Sequence, residues 1–204
     1  MLIDLTTLSA SQAYFTMIQT LIPRPIAWVL SENADGGYNL APFSYFTAVS
    51  SDPPLLLIST GRKPGGEPKD TRVNVEERED FVVMIPHREL LEPMNESSAT
   101  LPAGESELAR LGLQTVELEG SRLPRLAECR VAYACRRHEI LLLGNGPQAL
   151  IIGQVGAIYI DDAVVETDAK GRMKVAADRL DPVCRLGAGE YGFLGELRTL
   201  ARPE

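Results

Sequence analysis

Cysteine, histidine and tryptophan are scarce in this 204-residue chain, which contains three, two and one of them. The cysteines, Cys129, Cys135 and Cys184, are odd in number and form no CxxC pair, so they do not make a disulfide framework. We expect reduced thiols, with Cys129 and Cys135 packed inside a strand region. The two histidines, His87 and His138, form no HxH or HExxH pattern, so the sequence predicts no metal site.

Positive charge and long apolar runs are also in short supply. Lys and Arg number 20 against 28 Asp and Glu, and the formal net charge of −8 argues against nucleic acid as the main partner. No apolar run approaches the ~20 residues of a membrane helix. The first residues include an early acid and no basic stretch, unlike a signal peptide. These features predict a cytoplasmic protein that neither binds nucleic acid nor enters a membrane.

Familiar catalytic motifs are missing as well. No GxGxxG follows a predicted strand, and strands do not alternate regularly with helices, so the pattern is not that of a Rossmann domain. The chain has no GxSxG elbow and no Cys/His nucleophile signature. The motifs therefore give no sign of covalent catalysis by the chain's own side chains.

Proline and glycine are plentiful, at 14 and 17, and they divide the chain into short segments. A capping box at residues 9–12 predicts a helix with an apolar face that ends before Pro23. Strands are predicted at residues 26–30, 38–40, 55–59, 81–85, 127–136 and 149–160, with Pro42 breaking or bulging the second and Gly153 and Gly156 at bends of the last. Further helices are predicted after residue 70 and within residues 88–98 and 105–111. Many strands with a few peripheral helices predict one mainly β domain over residues 1–204, a closed or nearly closed barrel.

Three phrases in the first half carry the strongest signal: PRPIAWV at residues 23–29, NLAPFSYF at 39–46 and KDTRVN at 69–74. In this order and at this spacing they resemble the flavin reductase-like FMN-binding proteins, a flavoredoxin-like family. DPPL at residues 52–55 and RLG at residues 185–187 extend the resemblance over most of the chain. The resemblance implies the FMN-binding split barrel, a Greek-key β-barrel, with FMN as cofactor.

The phrase from Lys69 to Asn74 follows a glycine-rich loop and opens a predicted helix. The first amides of a helix lack intrahelical partners and lie at its positive end, so they suit a phosphate, with Lys69 adding charge and Thr71 a hydroxyl donor. The alternative is a solvated loop in which Asp70 or Thr71 caps the helix. The resemblance implies that Lys69, Asp70 and Thr71 hold FMN. Asn74 bonds back to the loop or cofactor, or lies on the helix surface.

The phrase at residues 39–46 is the predicted flavin edge. An isoalloxazine ring has carbonyl and N–H groups along one side. Backbone groups freed near Pro42, together with the Asn39 amide and the Ser44 hydroxyl, match those groups. The resemblance implies backbone contacts around Ala41 and Pro42. The alternative is that the aromatic residues of this phrase pack in the core, and both arrangements hold together if alternate residues face opposite ways.

Four more residues complete the predicted site: Arg24, Ser59, Arg185 and Tyr191. The prolines on either side of Arg24 fix its backbone, so its guanidinium suits a phosphate or a carbonyl; the alternative is a surface arginine. The resemblance implies that Ser59 ends a strand near the flavin. It also implies that Arg185 and Tyr191 belong to a C-terminal segment that closes over the cofactor, the alternative being a tail docked on the barrel.

The resemblance implies an NAD(P)H-dependent flavin reductase, in which flavin N5 accepts hydride from NADH or NADPH without a dedicated acid or base. The reduced flavin would then serve a partner oxygenase, or its electrons would pass to another acceptor. One alternative is a non-enzymatic FMN electron carrier; another is a family member that has lost FMN, which the intact phrases disfavour. The basic residues of the loop at 61–67 either contact a phosphate or are exposed, so the choice between NADH and NADPH as donor stays undecided. The resemblance further implies a homodimer with FMN near the interface.

Overall fold

The computed structural model describes residues 1–101, 105–144, 148–168 and 170–200. The α-helices in these residues are α1 (Ala10–Thr20), α2 (Asp70–Arg78), α3 (Leu91–Glu96), α4 (Glu107–Leu111) and α5 (Ala177–Leu180), with single 3-10 turns at Leu5–Thr7, Arg88–Leu90 and Asp162–Val164. The strands are β1 (Arg24–Pro25), β2 (Ala27–Glu32), β3 (Tyr38–Phe43), β4 (Phe46–Ser51), β5 (Pro54–Thr60), β6 (Asp80–Met84), β7 (Thr115–Val116), β8 (Arg125–Leu126), β9 (Val131–Leu142), β10 (Ala149–Ile160), β11 (Val165–Thr167), β12 (Met173–Val175), β13 (Cys184–Arg185) and β14 (Tyr191–Gly192). None of the described helices is long and apolar enough to cross a bilayer.

The main sheet is antiparallel, with strand order β3-β2-β6-β9-β10-β5-β4. Its two edge strands, β3 and β4, are consecutive in the chain and are joined by Ser44 and Tyr45. In a flat sheet of seven strands the edges would lie about 29 Å apart, whereas a two-residue link spans at most about 11 Å. The sheet therefore curls until its edges meet at Ser44 and Tyr45, a joint that we call the seam. The predicted mainly β barrel with peripheral helices is confirmed.

Alternate residues of the barrel strands pack in two separate apolar layers, because successive side chains of a strand face opposite ways. The layer inside the barrel is built from Ala27, Val29, Phe43, Leu56, Ile58, Val75, Phe81, Val83, Cys135 and Ile151. The outer layer includes Trp28, Leu30, Leu40, Val82 and Met84, and it is covered by residues such as Met94, Leu108 and Leu126. The Trp28 indole donates to Ser97 Oγ at 2.9 Å, which fixes the segment after α3 to the barrel wall.

Cys129 and Cys135 are buried, as their sequence context predicted. Burial raises the pKa of the Cys129 thiol to about 12 and that of Cys135 still further above its ordinary value. Both residues therefore stay protonated near neutral pH and act as small apolar side chains.

Helix α2 packs over one end of the barrel, with Val75 in the inner apolar layer. Hydrogen bonds fasten the helix to the β2–β3 hairpin. Asn39 Nδ2 donates to Thr71 Oγ1 at 2.9 Å, and Asn74 Nδ2 donates to Ser31 Oγ at 3.1 Å. The first turn of α2 is thereby held against the open edge of β3.

The expected break at Pro42 is wrong, because Pro42 lies inside β3, opposite Trp28 in unbroken register with β2. An edge strand tolerates proline because the missing N–H can face away from the sheet. Backbone groups of β3 that face away from β2 are partly covered: the Ser106 hydroxyl donates to the Tyr38 carbonyl, and the Leu40 N–H donates to Glu107 Oε2, each at 3.1 Å.

The predicted bends at Gly153 and Gly156 are confirmed, since β10 shifts register against β9 at both places. Packing requires glycine at position 153, because a Cβ atom there would overlap the ring of buried Phe81. At Gly156 the nearest atom to such a Cβ would be the Ala134 carbonyl oxygen, 3.9 Å away. Packing against Phe81 therefore excludes a side chain at position 153, whereas position 156 has room for one.

Helix α1 begins with the predicted capping box, in which the Ser9 N–H donates to Gln12 Oε1 at 3.0 Å and the Gln12 N–H donates to Ser9 Oγ at 3.3 Å. Its apolar side chains do not reach either core layer. Tyr14, Phe15 and Met17 are each about half exposed. A single copy of the chain thus leaves the apolar face of α1 open.

Candidate functional site

Three adjoining cavities surround the end of β3 and the seam. The α2 cavity, about 350 Å³, lies between the start of α2 and residues 97–101. The seam cavity, about 420 Å³, is lined by Ser44, Tyr45 and Ser59. The tail cavity, about 170 Å³, faces Arg185 and Tyr191. Lys69 lines the first two and residues 42–44 line the last two, so the three adjoin at the end of β3.

The predicted site residues are gathered around these cavities although they are spread over most of the chain. Asn39, Ala41, Lys69, Asp70, Thr71 and Asn74 line the α2 cavity. The seam cavity is lined by Pro42, Ser44, Ser59 and Lys69, and the tail cavity by Pro42, Ser44, Arg185 and Tyr191. The remaining predicted residue, Arg24, lies behind the cavity walls and reaches them through Ser44.

The first turn of α2 is not capped by a side chain. Its N-cap residue is Lys69, whose carbonyl accepts from the N–H groups of Arg72 and Val73. The predicted cap by Asp70 or Thr71 is wrong, because Asp70 pairs with Lys63 at 2.6 Å and Thr71 Oγ1 accepts from Asn39. The N–H groups of Asp70 and Thr71, at the start of this turn, are left outside the helix's own hydrogen bonds. They lie at the positive end of the helix and suit an anion.

Charge is distributed unevenly over the three cavities. All of the carboxylates that line them belong to the α2 cavity: Asp35, Asp70, Glu105 and Glu107. Among the described residues Lys63 is paired with Asp70, whereas Lys69 forms no ion pair. Lys69, which lines both the α2 and seam cavities, is therefore available to an anion that lies between them.

Glu107 is a site residue that the sequence did not indicate. It opens α4, is buried, and accepts the Leu40 N–H on the free edge of β3. Burial raises the pKa of its carboxyl above the ordinary value. Its sequence context predicted only a helix start, because its contact with β3 spans 67 positions of the chain.

Asn39, Thr71 and Asn74 are all buried, and their hydrogen bonds hold elements together. Asn74 Nδ2 also donates to Asn33 Oδ1 at 2.8 Å, so its amide bonds to the β2–β3 hairpin. The Thr71 hydroxyl accepts from Asn39 and keeps its own hydrogen for another acceptor. These residues fix the start of α2 and also form part of the cavity wall.

The Arg24 guanidinium is buried and hydrogen-bonded in every direction. Nη1 donates to the carbonyls of Ile18 and Leu21 at 2.8 and 2.6 Å, and Nη2 donates to that of Leu186 at 2.9 Å. Nε donates to Ser44 Oγ at 3.4 Å. Arg24 thus joins the end of α1, the C-terminal segment and the seam.

The C-terminal segment docks on the barrel, as one of the two alternatives from the sequence predicted, and it also walls a cavity. β13 pairs with β1, with Arg185 opposite Arg24. The Arg185 guanidinium stacks over the Tyr191 ring at 4.4 Å. The Tyr191 hydroxyl donates to Asn95 Oδ1 at 2.6 Å. Asn95, on α3, is a second lining residue that the sequence did not indicate.

Comparison with known proteins places this geometry in context. A family model described as "Flavin reductase like domain" matches residues 19–176. The chain is 39% identical over 200 residues to the uncharacterised protein YwrF of Bacillus subtilis, which covers 96% of each protein. Nitrilotriacetate monooxygenase component B from Bacillus cereus superimposes with a TM-score of 0.90 at 33% identity, over 98% of both chains. The 2-nitrobenzoate 2-nitroreductase NbaA of Pseudomonas fluorescens gives 0.87 at 28% identity, over 100% of this chain and 96% of its own.

Proposed function

Because this chain belongs to the flavin reductase-like family and has its split-barrel fold, we propose that it is an FMN-binding oxidoreductase that uses NADH or NADPH as hydride donor. The observation that carries the proposal is the convergence of predicted site residues on three adjoining cavities beside the uncapped start of α2. Phosphate, ribityl chain and ring need such a chain of pockets, since FMN is long and only one end is charged.

The residues present fit FMN at both ends of the molecule. Lys69 and the first N–H groups of α2 would hold the phosphate, because both are unused by carboxylates or caps in the described structure. Ser44 and the outward-facing backbone of β3 near Pro42 would meet the ring's carbonyl and N–H edge. Arg185 and Tyr191 would close the third side. Arg24 would orient Ser44.

Bound FMN would supply the two-electron acceptor for hydride. The chain's part is to bind and orient, since the described residues that line the seam and tail cavities include no carboxylate, histidine or cysteine. Glu107 stays outside the chemistry in this proposal; it covers the edge of β3 and walls the α2 cavity.

We expect the FMN-loaded protein to lose its visible flavin absorbance when NADH or NADPH is added without oxygen. Each nucleotide is added separately, so the experiment also identifies the donor. Dithionite serves as the control that the bound flavin is reducible. If dithionite bleached the flavin but neither nucleotide did, the result would favour the non-enzymatic electron carrier. Failure to load FMN at all would contradict the cofactor assignment.

We further propose that the reduced flavin, or its electrons, pass to a partner oxygenase or another electron-accepting protein. The similarity to a monooxygenase component B at 33% identity supports this direction of transfer. A cytoplasmic location is proposed with it, because pyridine nucleotides are supplied there.

We propose a homodimer, with a second copy covering the apolar face of α1. Tyr14, Phe15 and Met17 leave that face open, and Tyr14 also lines the seam cavity. Whatever covers α1 therefore also covers one wall of the proposed FMN site. Fully burying an exposed apolar side chain is worth about 1.5–3 kcal/mol, and these three, already about half buried, would each gain about half of that.

The double variant Phe15→Glu, Met17→Glu should raise the dimer dissociation constant at least about tenfold, because two charges would enter an apolar contact. Sedimentation velocity over a concentration series measures it. Met173→Glu, at a similarly exposed methionine on β12, is the control and should sediment like the parent. Equal sedimentation of all three proteins would contradict the role of α1.

A further inference from the structure

Arg24 is a permanent positive charge inside the protein with only neutral partners. Its side chain is 5% exposed, and its hydrogen bonds go to three backbone carbonyls and one hydroxyl. Among the described residues no carboxylate lies within ion-pair distance of it. A guanidinium cannot lose its proton in a protein. The hydrogen bonds compensate the lost hydration, but they leave the net charge in place.

An unneutralised charge acts over a longer range in the protein interior than in water, because the effective dielectric constant is lower. The Tyr45 ring lies 5.9 Å from Arg24 Cζ. Burial raises the pKa of the Tyr45 hydroxyl, and the charge of Arg24 opposes that rise. Tyr45 follows Ser44 directly in the chain, so the charge of Arg24 lies close to the seam.

The surroundings reinforce this charge instead of cancelling it. The seam cavity is lined by Arg62 and the tail cavity by Arg185, whereas no carboxylate among the described residues lines either of them. This is notable in a chain of net charge −8. The carboxylates near the site are confined to the α2 cavity.

We propose that Arg24 is a positioning residue whose charge makes this site bind reduced, anionic flavin more tightly than oxidised flavin. The inference rests on the proposed function, in which FMN occupies these cavities. Oxidised FMN takes up two electrons and one proton to give the reduced anion, so the ring gains one negative charge. A fixed cation behind Ser44 stabilises that added charge. By linkage, preferential binding of the reduced form raises the midpoint potential of bound FMN above that of free FMN.

The test compares Arg24→Gln, which removes the charge, with Arg24→Lys, which keeps it but loses the guanidinium's several bonds. Oxidised FMN affinity is measured by fluorescence quenching, and the midpoint potential by equilibration with a reference dye. We expect Arg24→Gln to reduce the preference for reduced over oxidised flavin at least tenfold. For a two-electron couple this lowers the midpoint potential of bound FMN by about 30 mV. Arg24→Lys should retain most of the parental potential.

Lys69→Ala is the matched control. It should weaken oxidised and reduced FMN together, because the phosphate keeps its charge when the ring is reduced, so the potential stays unchanged. A folded, FMN-binding Arg24→Gln protein with the parental potential would overturn the inference and leave Arg24 a purely structural residue.

The unsubstituted protein gives an independent check if Arg24→Gln does not fold. A midpoint potential of bound FMN at or below that of free FMN would overturn the inference without any variant. Absence of FMN binding in the unsubstituted protein would instead contradict the proposed function, so the two failures are distinguishable.

Discussion

Replacing Lys69 with alanine should weaken FMN binding by about 10- to 100-fold and leave riboflavin binding within about twofold of the parent. A hydrogen bond to a charged group contributes about 1.5–3 kcal/mol, and each 1.4 kcal/mol is a factor of ten in affinity. Lys69 forms no ion pair among the described residues and lines two of the three cavities. Riboflavin lacks the phosphate, so it does not lose this contact.

Titration of the apoprotein with each flavin, followed by fluorescence, measures both constants. Thr71→Val adds a second arm: it removes the hydroxyl that Asn39 bonds to, so part of its effect should appear as lower stability. Lys170→Ala, at an exposed turn between β11 and β12, is the control and should bind both flavins normally. If Lys69→Ala weakened the binding of FMN and riboflavin equally, the FMN phosphate would not lie at this position.

Gly153→Ala should lower the free energy of unfolding by about 1–3 kcal/mol, the usual cost of overpacking a core. The added Cβ would overlap the ring of Phe81, which is buried among the side chains of the inner layer. For a chain of this size each kcal/mol corresponds to about 2–4 °C in Tm. Thermal and denaturant unfolding of the apoprotein would both report the change.

Gly156→Ala is the natural comparison, because it stands at the other register shift of β10 and has room for a Cβ. It should unfold close to the parent. In a Phe81→Leu background, Gly153→Ala should lower the free energy of unfolding by less than it does in the parent, because the smaller side chain leaves space for the added Cβ. If both glycine variants were equally destabilised, backbone conformation rather than the Phe81 contact would be the cause.

Local sequence patterns were sufficient to predict much of the fold. The capping box at residues 9–12, the short strands predicted at residues 26–30 and 38–40 and the two bends of β10 follow from a few neighbouring residues, and all appear in the structure. Most of the predicted site residues lie in a few short phrases, and the barrel brings those phrases to adjoining cavities. Each phrase contains its own turn or helix start, so its local structure follows from its own residues.

Tertiary contacts account for what the sequence did not indicate. Pro42 stays within a strand because β3 is at the edge of the sheet, and edge position depends on the order of all seven strands. Asp70 does not cap α2 because Lys63, seven residues earlier, pairs with it. Glu107 and Asn95 enter the site through contacts with β3 and with Tyr191, which are distant in the chain. No local pattern encodes such contacts.

The two-residue seam constrains the length of the chain as well as its composition. The hydrogen-bond registers of β3 against β2 and of β4 against β5 are already set on either side of it, and the Ser59 N–H bonds to the Tyr45 carbonyl at 2.8 Å. An inserted residue would have nowhere to go except into the seam or tail cavity, and a deletion would pull the two barrel edges past each other. The length of the chain at residues 44 and 45 is therefore fixed, whereas insertions and deletions belong in loops such as residues 61–68.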